Sequence, residues 1–327
     1  MENQTNTTLT GHELGVTYVV ISVIISTLII VSNTLIIVAI LKFDYLKTIS
    51  NQYVLSLSFA DLMVGLALPY CNLRQLYPEA SLVLDGADSE KYSCLVCQVV
   101  LHQPVAASMM MYTAISIERY IAITRPFSHP AIFTMKKVRI SIICSWIYSY
   151  FIFIGLSCFN IWTPHVQCSM SMTLYQPAAF YGLVASSGIL MFVIIGTVYC
   201  RIFYIAWAQK KQQNEQQNAI GPVTDTSKSD MKIVKMMAII FGTLVILYTP
   251  YWIFTFVVLF YKQKPKWLVT YEQFSVILYY CNSFCNSFVY GWKSTNFRRA
   301  FRMLVYRQNS NKVFPLENTE NSKTYKT

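Results

Sequence analysis

The chain has 327 residues, 54% of them hydrophobic and only 13% charged, where soluble domains carry roughly 25%. That scarcity of charge excludes an ordinary water-soluble fold and is what a bilayer selects, because unpaired polar groups are costly in hydrocarbon. A formal net charge of +11 would suit a nucleic-acid partner, but the basic residues are placed for a membrane surface, as the topology below shows.

Crossing about 30 Å of hydrocarbon takes about 20 mostly apolar residues in a helix. Seven stretches qualify, at residues 16–41, 52–73, 93–123, 138–160, 177–207, 231–261 and 267–292. The expected fold is therefore an all-α integral membrane protein: a seven-transmembrane helix bundle with a short amphipathic helix after the last span. The expected organisation is an extracellular N-terminus over 1–15, the membrane domain over 16–292, the interfacial helix over 293–305 and a flexible cytoplasmic tail over 306–327. No cleavable signal peptide is visible before the first span, which reads as a signal anchor. The Gln/Asn/Lys-rich stretch 208–230 (KKQQNEQQN, then GPVTDTSKSD) reads as a disordered loop.

Orientation follows from Lys and Arg. Of the 26 basic residues, an outer N-terminus leaves only five outside (Arg74, Lys91, Lys262, Lys264 and Lys266) and 21 in the cytoplasm. Asn3 and Asn6, in N-Q-T and N-T-T, are glycosylation acceptors on that outer end. Past the last span, Phe297, Ala300, Phe301 and Leu304 form an apolar stripe, with Arg298, Arg299 and Arg302 on other faces. The stripe suits a helix lying in the lipid surface, a plain basic tail being the alternative.

Along the spans, the polar residues carry the functional information. Asp61 lies at mid-depth of the second span, with Asn33, Ser108, Asn282 and Asn286 at matching depth. Together these oxygens can hold a small cation such as sodium, or form a purely structural hydrogen-bonded cluster. At the inner end of the third span, Glu118-Arg119-Tyr120 faces the cytoplasm, and Asp230 at the start of the sixth span can pair with Arg119 as a latch. On the outer side, Cys94 and Cys168 can form a disulfide tethering the loop before the fifth span, with Cys71, Cys97 and Cys158 as competitors. The nine cysteines lack the spacing of a zinc site. His12-Glu13 lacks the second histidine of a zinc-protease helix, and no phosphate-binding glycine loop is present, so no enzyme is expected.

Taken together, Asn33, FAD with Asp61, Cys94, Glu118-Arg119-Tyr120, Trp146, Cys168, Tyr199, Pro250 and Asn286-Ser-Phe-Val-Tyr290, with Phe297 beyond, resemble the rhodopsin-like G-protein-coupled receptors. The resemblance implies a receptor in the plasma membrane that binds a small extracellular ligand in the outer half of the bundle. It also implies Arg119, Tyr199, Tyr290 and the loop pair Pro126-Phe127 acting on a heterotrimeric G protein, with arrestin and a receptor kinase as further partners. It implies a sodium pocket at Asp61, Ser108, Asn282 and Asn286, and no cofactor beyond that ion. The alternative from another class is a channel or transporter using Asp61, against which Met109, Met110, Met111 and Leu244 suggest a hydrophobic plug.

The sequence departs from the family pattern at several points. Tyr248 stands in place of the usual tryptophan and Leu247 in place of the preceding cysteine. Ser287 and Met191 replace prolines of the seventh and fifth helices, which should leave those helices straighter. Leu101 stands where amine receptors carry an aspartate, and Tyr280 where opsins carry a lysine. The ligand subfamily stays open among adenosine-, melatonin- and amine-receptor-like. The expected pocket takes Gln98, Leu101, His102 and Val105 from the third helix and Ser187 from the fifth. Tyr248, Tyr251, Trp252 and Thr255 from the sixth and Val276 and Tyr280 from the seventh complete it. Such a lining suits a small, mostly neutral ligand, with His102 a candidate donor to a ligand carbonyl.

Overall fold

A computed structural model of the chain describes residues 2–76, 89–160, 184, 186–220, 226–261 and 265–306, with side chains at all of these except 2–14, 75–76, 206, 209–220, 226–235, 237 and 259. Among the described residues every regular element is helical. They are α1 (Glu2–Lys42), α2 (Ile49–Leu76), α3 (Ser89–Thr124), α4 (Met135–Cys158), α5 (Ser186–Ile220), α6 (Thr226–Val257), α7 (Lys266–Lys293) and α8 (Thr295–Val305). A 3-10 turn, Asp44–Leu46, joins α1 to α2, and a single helical turn, His129–Ile132, lies between α3 and α4.

Six of these helices are long and apolar enough to cross a membrane by composition: Gly15–Lys42, Ile49–Arg74, Ser89–Thr124, Met135–Cys158, Ser186–Ile205 and Ala238–Val257. The seventh expected span is α7. Its 28 residues are long enough to cross, yet its hydropathy is diluted by Ser275, Asn282, Ser283, Asn286 and Ser287. All five are buried inside the bundle rather than offered to lipid, so their polarity marks an interior face and not a soluble helix.

Two expectations need correction. Much of the stretch read as a disordered loop over 208–230 is helical, since α5 continues to Ile220 and α6 begins at Thr226. Gln, Lys, Glu and Ala are good helix formers, so α5 propagates past the membrane once its first turns are nucleated. Residues 221–225, and the tail from 307 on, lie outside the described residues. The stripe of α8 is also only partly a lipid face: Phe297 and Ala300 are buried against the bundle, and the Phe297 ring meets Tyr290 at 5.7 Å. Ser294 caps α8, its hydroxyl accepting from the Phe297 amide, while Arg298, Arg299 and Arg302 stay exposed.

In lipid the hydrophobic effect does not drive helix against helix, so close packing and interhelical hydrogen bonds must. The α1–α2 contact shows both. Ser26 Oγ donates to the Gly65 carbonyl, and a Cβ at Gly65 would lie 2.8 Å from the Ile29 side chain. Only a residue without a side chain permits that approach. Helix α3 runs through the middle, packed on α2, α4 and α5, and α7 closes the ring against α6 and α1. Trp146 on α4 donates its indole N–H to Ser56 of α2 at 2.9 Å, tying the fourth span to the second.

Candidate functional site

Three sites stack along the bundle axis. At mid-depth, Asp61 is buried. Its Oδ1 accepts from Ser108 Oγ at 3.3 Å and its Oδ2 from Asn286 Nδ2, also at 3.3 Å, with Ser283 alongside. Asn282 donates instead to the hydroxyls of Tyr112, at 3.1 Å, and Tyr248, at 3.4 Å. The amide oxygens of Asn282 and Asn286 are both buried without a hydrogen-bond partner. Asn33 does not join Asp61. It donates to the carbonyl oxygens of Ile29 and Ser283 and accepts from Ser287 Oγ at 2.9 Å. Ser287, where the resemblance led one to expect proline, thus supplies a hydroxyl that fastens α7 to α1.

Above this cluster, toward the outer side, lies a cavity of about 750 Å3 counting its open mouth. Of the residues expected to form a ligand pocket, His102, Val105, Ser187, Tyr248, Tyr251 and Trp252 line it. Gln98, Leu101, Thr255, Val276 and Tyr280 do not. Gln98 contributes its carbonyl, which accepts from His102 Nδ1 at 3.0 Å, and Thr255 Oγ1 is turned back to the Tyr251 carbonyl. On α7 the lining residue is Tyr279 rather than Tyr280. Sequence reasoning missed this because adjacent tyrosines carry no register signal. It also missed the α4 wall, Tyr148, Ser149, Ile152 and Phe153, whose apolar character is indistinguishable from lipid-facing residues. Trp252 fits where it does because of Gly188, at which a Cβ would lie 2.6 Å from the indole.

At the cytoplasmic end, Arg119 is held by its neighbour. Its Nε donates to Glu118 Oε2 at 2.7 Å and its Nη2 to Oε1 at 3.3 Å. Glu118 is buried and also takes Ser50 Oγ at 3.0 Å and His129 Nε2 at 2.8 Å. His129, from the turn after α3, was not singled out in the sequence; only its folding back by 11 residues brings it there. The Asp230 side chain, the expected latch partner, lies outside the described residues. Tyr199 and Tyr290 are buried near Arg119, Tyr199 stacked on Phe241 at 5.0 Å, and Tyr120 packs against Ile202. Pro126 is exposed, and Phe127 is 99% exposed.

At the outer side, Cys71 of α2 and Cys97 of α3 form a disulfide. The two had been considered only as competitors of the Cys94–Cys168 pair. Cys94 is itself disulfide-bonded, Cys168 lies outside the described residues, and Cys158 is free. The side chains of Asn3 and Asn6 also lie outside them.

A helical bundle with an outer cavity, a polar core on its axis and an inward arginine held by a carboxylate has the construction of a transmembrane signalling receptor. Residues 32–290 match the family described as 7 transmembrane receptor (rhodopsin family), and the chain belongs to that family. It is 24% identical to the human protein "Adenosine receptor A2b" over 89% of this chain and 90% of the relative. With "Adenosine receptor A2a" of Canis lupus familiaris it shares 26% identity over 88% and 72%, and with "Somatostatin receptor type 1" of Rattus norvegicus 24% over 84% and 67%. The protein is a multi-pass membrane receptor of the G-protein-coupled type, and this membership decides against the channel or transporter reading.

Proposed function

We propose that the chain is a plasma-membrane receptor with its N-terminus outside, taking a small ligand in the cavity lined by His102, Tyr251 and Trp252. Binding there favours an open cytoplasmic face in which Arg119 leaves Glu118 and meets a heterotrimeric G protein. Pro126 and the exposed Phe127 form the loop that docks, and arrestin and a receptor kinase use the same face. One observation carries this reading. Tyr248 lines the cavity with its ring while its hydroxyl accepts from Asn282, so a single side chain belongs to both the ligand site and the polar core. A ligand need only prefer the open state; a 100-fold preference corresponds to about 2.7 kcal/mol.

A sodium ion fits the polar core as a modulator. The Asp61 carboxylate supplies the charge, and the partnerless amide oxygens of Asn282 and Asn286 are the donors a hard cation takes. Ser108 would complete the set. The same ion would favour the closed state by holding α2, α3 and α7 together.

The test is nucleotide exchange on a panel of Gα proteins, using the receptor purified in lipid nanodiscs. Exchange above the receptor-free rate is expected, basally or with ligand. A receptor that binds ligand yet stimulates no Gα in any condition sinks the proposal.

A further inference from the structure

Glu118 holds more than Arg119. Its Oε2 takes Arg119 Nε and Ser50 Oγ, and its Oε1 takes Arg119 Nη2 and, at 2.8 Å, His129 Nε2. One buried carboxylate therefore faces two basic side chains, of which Arg119 is always charged and His129 need not be. A carboxylate paired with a guanidinium only accepts, so the hydrogen of the short bond is on His129 Nε2. Nδ1 is then the atom at which the ring gains or loses its charge. The ring is 19% exposed, which puts it within reach of cytoplasmic protons.

Local structure fixes the ring in this place. His129 opens the helical turn His129–Ile132, and its amide donates to the Arg125 carbonyl at 3.0 Å. Phe133, one turn on, stacks against the imidazole at 5.4 Å. Two residues before His129 stands the fully exposed Phe127 of the docking loop. The other ionisable groups nearby are few. Tyr53 of α2 feels the charge of Glu118 and is bonded to Ser141 at 2.9 Å. Arg125, Lys136 and Lys137 are exposed and screened by water and salt. Among the described residues, Glu118 is the one acid in contact with His129.

Arg119 cannot leave this carboxylate without consequence, because a buried charge stripped of its counter-charge is strongly destabilising. We infer that His129 takes up a proton from the cytoplasm as Arg119 leaves Glu118, so that an imidazolium replaces the guanidinium as counter-charge. The neutral ring, with its hydrogen on Nε2, gains a second on Nδ1, and the buried site stays neutral overall. In the closed state the same proton is held less tightly, because the guanidinium on the shared carboxylate repels it. The proton thus prefers the open state, and by that preference acid promotes opening. His129 is a positioning residue that acts on Arg119 through Glu118. This rests on Arg119 leaving Glu118 in the signalling state.

The test follows the His129 imidazole by NMR in the purified receptor, carrying isotope-labelled histidine, in lipid nanodiscs. The signal is assigned by its loss in His129→Gln. Arg119→Gln mimics departure of the guanidinium and should raise the midpoint of the His129 titration by about one pH unit, tenfold in proton affinity. Glu118→Gln should lower it. A ring that merely fills space would show neither shift. A second arm measures nucleotide exchange on Gα, relative to the receptor-free rate, at about pH 6 and about pH 8. The native receptor should be severalfold more active at the lower pH. His129→Gln, whose amide still donates to Glu118 but takes no proton, should be flat. A midpoint indifferent to Arg119→Gln overturns the inference, as does acid activation that survives His129→Gln and so belongs to Glu118 itself. The NMR arm needs no G protein, so the expected shift in a receptor that stimulates no Gα removes the signalling reading alone. Exchange that is active but indifferent to pH removes this inference alone.

Discussion

Tyr248 of α6 receives a hydrogen bond from Asn282 of α7 at 3.4 Å, and the same amide donates to Tyr112 of α3 at 3.1 Å. Three helices thus meet on one side chain at the floor of the cavity. The phenol at 248 stands where the family resemblance led one to expect an indole, and its oxygen, at the end of the ring, reaches deep enough to touch the core.

Tyr248→Phe keeps the ring and removes the acceptor. A single net hydrogen bond is worth about 1 kcal/mol, so a loss of about that size is expected in the thermal unfolding of the purified receptor. Tyr112→Phe should behave alike. Because both hydroxyls share the Asn282 amide, the double variant should fall short of or exceed the sum of the singles. Strict additivity would mean that Asn282 does not couple them.

Asp61→Asn removes the one buried carboxylate of the polar core while keeping its shape. The melting temperature of the native receptor should rise when choline chloride is replaced by sodium chloride at equal ionic strength, since a ligand of the folded state stabilises it by mass action. The variant should show no difference between the salts. Sodium-specific stabilisation that survives the substitution would place the ion elsewhere.

Glu118→Gln weakens both bonds that hold Arg119 and the one to His129. Charge-assisted bonds contribute about 1.5–3 kcal/mol, so basal nucleotide exchange is expected to rise about tenfold. Asp230→Asn tests the separate latch across the bundle and should also raise it. Unchanged basal exchange in Glu118→Gln would show that its grip on Arg119 does not limit opening.

Gly188→Val puts side-chain atoms where the Trp252 indole now lies, since even a Cβ would come within 2.6 Å. Overpacking of this kind costs about 1–3 kcal/mol, and the indole must swing toward the cavity. The variant should fold, with a lowered melting temperature in thermal unfolding of the purified receptor. Gly242→Ala, on the same helix as Trp252 and with open space around it, serves as the control and should leave the melting temperature unchanged.

Much of this was legible without coordinates. The spans follow from hydropathy, because the bilayer imposes a length rule on the chain itself, and the class from motifs standing in register along them, from Asp61 and Glu118-Arg119-Tyr120 to Asn286 and Tyr290. Asp61, Ser108 and Asn286 were legible for the same reason: hydrocarbon makes a polar group conspicuous. Position along a helix reads directly from residue number, whereas the direction a side chain points does not.

What the chain determined alone, then, is a seven-span receptor with a polar core and an inward arginine. Only the tertiary structure decided that Tyr279 and not Tyr280 lines the cavity, that Asn33 serves Ser287 and not Asp61, that Cys71 pairs with Cys97, and that His129 returns to Glu118. Each of these depends on the rotation of one helix against another or on a turn folding back. In lipid, where any apolar face is as content as another, that rotation is settled by packing and by a few hydrogen bonds between residues far apart in the chain.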